Sequence, residues 1–431
     1  MSGESGRGRR RPRPDTAPAN GPLRPSQMLA AFFIPAVAFL GAGGLAALLN
    51  AFAGPSWAHW LSLHLLLLGG ISQLVLGAAQ FFAAAFLATD PPRRKLILAQ
   101  LVTWNVGVLM IAIGRPTGTT GLISIGGLFI LVGLALFGAG LLEMKRRSLQ
   151  SNHWAVRWYG AAALSLAAGA LVGVLLAEGR TGNYADLLAA HYVLNLLGWL
   201  GTAIVGTLHT FYPSLTGTRL VFPRLEGRTF LAWVGGVATL AVGFALDSGL
   251  LAALGWLSLA AAAALLLVNL AASFRQRTTP PGLPARLVGI AQPFLLVAAC
   301  VGFVATLSDG ASGPLSGTVG SLMPTLILAG WIGLTVAGSL LHLLAMLARV
   351  RSGFAFAMPS PEPVRDLLIT VAAAVGISAL AASALVSSDV LATAGRLLVL
   401  FAALPVVAVL ARCVVRVLNP GSPAAGLGPI R

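Results

Sequence analysis

Twelve mostly apolar stretches follow one another along this chain, each about as long as the roughly 20 residues an α-helix needs to cross a bilayer. They fall at about 28–53, 57–88, 96–114, 119–143, 155–177, 186–213, 229–246, 249–272, 286–307, 320–348, 366–387 and 392–417. Away from water only helices and closed barrels satisfy every backbone amide, and runs this long exclude barrel strands. The spacing therefore predicts an all-α, polytopic transmembrane bundle of about 12 spans. Composition agrees: 9% of residues are charged, against about 25% in a soluble protein. The 51 glycines suit spans whose backbones pack closely.

Basic residues set the orientation. With the N-terminus cytoplasmic, all 28 Lys and Arg except Arg115, Arg180 and Arg396 fall in the tails, the inner loops or the helix ends beside them. Cytoplasmic loops favour this distribution, which places both termini inside. The formal charge of +16 is thus a topological signal, and no other feature points to nucleic acid. Residues 1–27, rich in Arg and Pro, read as a disordered basic cytoplasmic tail. Residues 28–417 read as one membrane domain in which no internal repeat is visible, and 418–431 as a short cytoplasmic tail.

All twelve acidic residues lie in tails, loops or helix ends. This argues against a transporter driven by a mid-membrane carboxylate and against a di-iron carboxylate site. Cys300 and Cys413 stand in separate apolar segments, with neither a disulfide framework nor a Cys-x-x-Cys spacing. The intramembrane amides Gln73, Gln80, Gln100, Asn105, Asn195, Asn269 and Gln292 read as packing between helices.

Histidines carry the remaining chemistry. His153 lies in a basic loop and His59 at the outer mouth of the second span, whereas His64, His191, His209 and His342 lie inside the second, sixth, sixth and tenth spans. His64 is ~10 Å below the outer boundary at 1.5 Å per residue, and His191 is in the first two turns of its span. His209 follows His191 by a whole number of α-helical turns, so the two share a face along which Asn195, Gly198, Thr202 and Val205 continue. His342 lies in the inner third of its span. Depth thus suggests an outer pair, His64 with His191, and an inner pair, His209 with His342. Neutral imidazole ligates haem iron, copper or zinc without carrying charge into lipid, and Gly198 would leave room for a flat macrocycle. The alternative is that each histidine hydrogen-bonds to a neighbouring helix.

The stretch "HYVLNLLGWLGTAIVGTLHTFYPSLTGTRL" from His191, with "HLLLLGGISQLVLGAAQFFAAAFLAT" from His64, resembles actinobacterial polytopic proteins. These look like distant relatives of haem–copper oxidase subunit I and of NnrS-type membrane proteins, some fused to multicopper oxidase-like or copper nitrite reductase-like domains. The resemblance covers roughly residues 30–415 and implies haem b or copper as cofactor, with the four intramembrane histidines as ligands. It also implies Arg396 and Arg180 as partners of haem propionates, and a place in a bacterial cytoplasmic membrane. Two departures remove the oxidase copper centre: the seventh span has no histidine, and Asn195 stands where a His-x-x-x-Tyr motif starting at His191 needs tyrosine.

The leading expectation is an integral membrane haem- or copper-binding protein of an electron-transfer, nitrogen-oxide or copper-handling pathway. Its partners would be the lipid bilayer and a multicopper oxidase or other redox protein. A permease for a metal or small solute stays open, given the carrier-like turn "ATDPPRRK", and so does a non-catalytic assembly subunit.

Overall fold

The computed structural model describes residues 23–52, 54–151 and 153–419. The tails expected at 1–27 and 418–431 lie almost wholly outside the described residues. The protein is an all-α membrane-spanning bundle, and no strand occurs among the described residues. Among the described residues 12 helices are long and apolar enough to cross a membrane: Pro25–Ala51, Trp57–Phe86, Arg94–Gly114, Thr120–Arg147, Trp154–Ala177, Tyr184–Thr216, Pro223–Ala245, Gly249–Arg275, Leu283–Asp309, Gly317–Arg351, Pro363–Val386 and Asp389–Leu418. Four helices start earlier than their apolar runs because proline opens them: Pro25, Pro223, Pro284 and Pro363 sit in first turns. There the fixed φ suits the helix and the missing N–H is not needed. The fourth span runs on to Arg147 through Lys145 and Arg146, cations that suit the negative end of a helix dipole.

The bundle repeats itself three times, in units of four spans. In each unit the third and fourth spans form a hairpin crossing at a glycine pair: Gly107 with Gly126, Gly236 with Gly255, and Gly376 with Gly395. A Cβ on Gly107, Gly236 or Gly376 would stand 2.8, 3.1 or 3.0 Å from the partner's carbonyl oxygen. The paired glycines are separated by the same interval each time. A second, shorter interval, also constant, leads from the first glycine to a left-handed turn residue, Gly118 (φ 68°), Asp247 (φ 48°) or Ser387 (φ 49°). This corrects the reading of a chain without repeats. The conserved element is a backbone contact and a turn conformation, which glycine, aspartate and serine each satisfy, so little side-chain identity marks it.

The second span of each unit carries a π-helical stretch: Leu65–Ile71, Val193–Gly201 and Thr325–Gly333. Each stretch holds a glycine pressed against the first span of its own unit. A Cβ on Gly69, Gly198 or Gly330 would stand 2.7, 2.7 or 2.6 Å from Phe39, Ser165 or Phe294. The second and sixth spans are the most enclosed, with 61% and 67% of an 18-residue apolar stretch buried, against 17% for the twelfth. Indoles fill the middle: Trp199 donates to Ser72 Oγ at 2.8 Å, Trp233 to Thr202 Oγ1 at 3.0 Å, and Trp331 to Gln292 Oε1 at 3.0 Å. These bonds satisfy buried polar atoms and join the sixth span to the second, the seventh to the sixth, and the tenth to the ninth.

Candidate functional site

In both spans that carry the His64 and His191 pair, the α-helix gives way to a π-helix directly at the site. The α part of the second span ends at His64, and that of the sixth ends at Tyr192, one residue past His191. π-Stretches inside helices change the direction in which side chains leave them and recur at functional sites. Here the two spans bring the imidazoles together, with ring centroids 6.5 Å apart and planes 25° from parallel.

Each ring is held through Nδ1. His64 Nδ1 lies 2.9 Å from the Trp60 carbonyl, one turn back on its own helix. His191 Nδ1 lies 2.9 Å from the Gly169 carbonyl of the fifth span. A carbonyl oxygen only accepts, so both contacts place the proton on Nδ1 and leave Nε2 as the free lone-pair donor. The Asn195 amide, 3.2 Å from His191 Nδ1, donates instead to the His191 carbonyl at 2.6 Å. Glycines of the fifth span make this docking possible: a Cβ on Gly173 would stand 2.9 Å from His191 Cε1. On the other side Trp60 stacks on His64 at 3.7 Å, and the Arg115 guanidinium lies 5.7 Å from the Trp60 ring centre. Arg115, Trp60, His64 and His191 therefore form one continuous row of contacts.

The other two histidines have different surroundings. His209 is 1% exposed, its Nδ1 2.8 Å from the Val205 carbonyl, and its ring is stacked on Trp158 at 5.8 Å. Its Nε2 is enclosed without a partner. His342 meets the edge of Phe211 at 5.8 Å. No ring contact joins His209 to His342 among the described residues; each is occupied by an aromatic neighbour instead. An apolar cavity of about 80 Å³ lies between the first, second, fifth, sixth and tenth spans, and neither histidine lines it.

Three further expectations change in detail. Gly198 leaves no slot for a macrocycle, because Ser165 and Val237 occupy the space beside it. The stripe on the sixth span passes from one neighbour to another: Asn195 meets the fifth span, Gly198 both the fifth and the seventh, and Thr202 Trp233 of the seventh. Arg180 pairs with Glu178 at 3.0 Å, and Arg396 is exposed on the twelfth span, which packs against the tenth and eleventh. The arginine beside the histidine pair is Arg115, which the sequence marked only by its lying on the outer side. Trp60, one turn before His64 in "WAHWLSLH", and the Gly-x-x-x-Gly of Gly169 and Gly173 were the remaining signals.

Two imidazoles are the whole ligand set at this place; no group of three or more His, Cys, Asp or Glu suited to a metal occurs among the described residues. No protein-family model matches the chain, and no curated protein matches it.

Proposed function

We propose that this integral membrane protein holds a haem b between His64 and His191 and serves one-electron transfer in a nitrogen-oxide or copper-handling pathway. The observation that carries this reading is the 6.5 Å between the two ring centroids. Metal–nitrogen bonds are roughly 2.0 Å long, so only imidazoles held this close together can share one metal. The donor set fits as well. A bare structural ion wants four protein ligands, whereas a haem iron would ask only two of the protein, which His64 and His191 would supply. Backbone carbonyls on both Nδ1 atoms are the outer-shell arrangement that orients ligating histidines. Cys300 and Cys413 form no Cys-x-x-Cys-His motif, so attachment is non-covalent.

Bound there, the haem would supply a reversible one-electron couple, and two imidazoles leave no open position for oxygen chemistry. This chain's residues do the rest: Trp60 and Gly173 fix the rings, and Arg115 offers its charge to a propionate. The resemblance to oxidase subunit I and NnrS-type proteins agrees in kind. Copper held by the same two imidazoles is the second reading, favoured by the affinity of imidazole for that metal. Haem and copper content of the detergent-purified full chain tests both. His64→Ala and His191→Ala are each expected to lose the haem that wild type and His209→Ala retain. A haem-free wild type with one copper per chain selects the second reading, and a wild type holding neither refutes both.

A further inference from the structure

On the side that the basic loops assign to the cytoplasm, the fifth and seventh spans begin beside one another, at Trp154 and Pro223. They meet through aromatic side chains: Phe230 lies 5.7 Å from Trp154 and 4.9 Å, edge-on, from Trp158. Gly227 lets Trp154 lie against the seventh helix, since a Cβ there would stand 3.2 Å from the indole. Beside this contact is a cleft of about 490 Å³, walled by Trp154, Phe230, Leu231 and three arginines, Arg157, Arg224 and Arg228.

All three guanidinium groups are exposed, and none is paired with a carboxylate among the described residues. Arg157 lies over the Trp154 ring at 4.6 Å, which holds its guanidinium at the cleft. Glu226, between the other two in sequence, is only 8% exposed and turns its carboxylate inward toward the Trp158 indole. The orientation rule accounts for arginines in this loop but not for their convergence on one aromatic-walled cleft. Leu231, 73% exposed, continues the wall outward as apolar surface.

The geometry points to a binding site for an anionic phospholipid of the inner leaflet. Its phosphate lies among Arg157, Arg224 and Arg228, and an acyl chain runs along Phe230 and Leu231. Guanidinium forks match phosphate oxygens, and basic pockets between transmembrane helices on this side hold such headgroups.

Native mass spectrometry of the detergent-purified full chain, titrated with phosphatidylglycerol or phosphatidylcholine, tests the site. A preference of about tenfold or more for phosphatidylglycerol is expected, from about 1 kcal/mol per arginine at such a surface. The triple variant Arg157→Gln, Arg224→Gln, Arg228→Gln is expected to lose the preference. The double variant Lys145→Gln, Arg146→Gln, which removes comparable charge elsewhere on the same face, is expected to keep it. Equal binding of the two lipids by wild type overturns the proposal without recourse to any variant. So does a preference that survives the triple variant or is lost in the double, and so does displacement of the lipid by millimolar inorganic phosphate, which would mark a site for a free anion.

Discussion

A carbonyl oxygen decides the chemistry of His191. Gly169 accepts from Nδ1, Gly173 leaves space for the ring, and Nε2 is left free as the donor atom. Gly173→Val is therefore expected to push the ring off that carbonyl and weaken haem retention roughly 10–100-fold, the usual cost of disturbing an outer-shell partner. Haem-to-protein ratio, measured on a variant that still elutes as a folded species, checks this. His209 is the contrasting case. Its enclosed, unpartnered Nε2 carries a desolvation cost with no bond to offset it. His209→Phe is expected to leave the thermal midpoint unchanged or raised, as read by a fluorescence melt in detergent; a drop of many degrees would mean that the nitrogen has a partner. The four histidines could be found in the sequence, and so could the depth that links His64 to His191. Their supporting carbonyls could not, because a backbone acceptor on another helix leaves no residue-type signature. For the same reason Arg115 was overlooked: its place follows from the stacking of Trp60 on His64, not from its own spacing.

Among the elements, the hairpins repeat a contact that tolerates no side chain. Gly126→Val would drive its Cβ into the Gly107 carbonyl and is expected to destabilise the protein by about 1–3 kcal/mol, the cost of overpacking. Gly121→Val, on the same span with nothing within 4 Å of the added atom, is expected to be nearly neutral. Equal melting shifts for the two would contradict the packing described. The apolar runs were legible because twenty residues of hydropathy outweigh local noise, and errors gathered at proline-led first turns such as Pro223–Thr229. The π-stretches were not legible. Leu65–Ile71 and Thr325–Gly333 have ordinary apolar composition, and the wider turn reflects packing of Gly69 and Gly330 onto neighbouring spans rather than any local propensity.

Over the whole molecule, the arginine distribution predicts that both chain ends and the Thr279 loop face the cytoplasm, with the Gly182 loop outside. On a Cys300→Ser background, Gly182→Cys is expected to react with a membrane-impermeant maleimide in intact cells, and Thr279→Cys only after lysis. The reverse pattern would invert the orientation and place the histidine pair on the inner side. Twelve spans arranged as three like units bring the second and sixth spans to the centre, and so unite two histidines far apart in sequence. The central claim is that this union serves one iron. Electron paramagnetic resonance of the oxidised, detergent-purified protein tests it most directly. Two imidazoles with planes 25° apart predict a low-spin ferric spectrum of the rhombic kind given by near-parallel ligands. A high-spin signal, or a protein with no haem iron at all, would contradict the account.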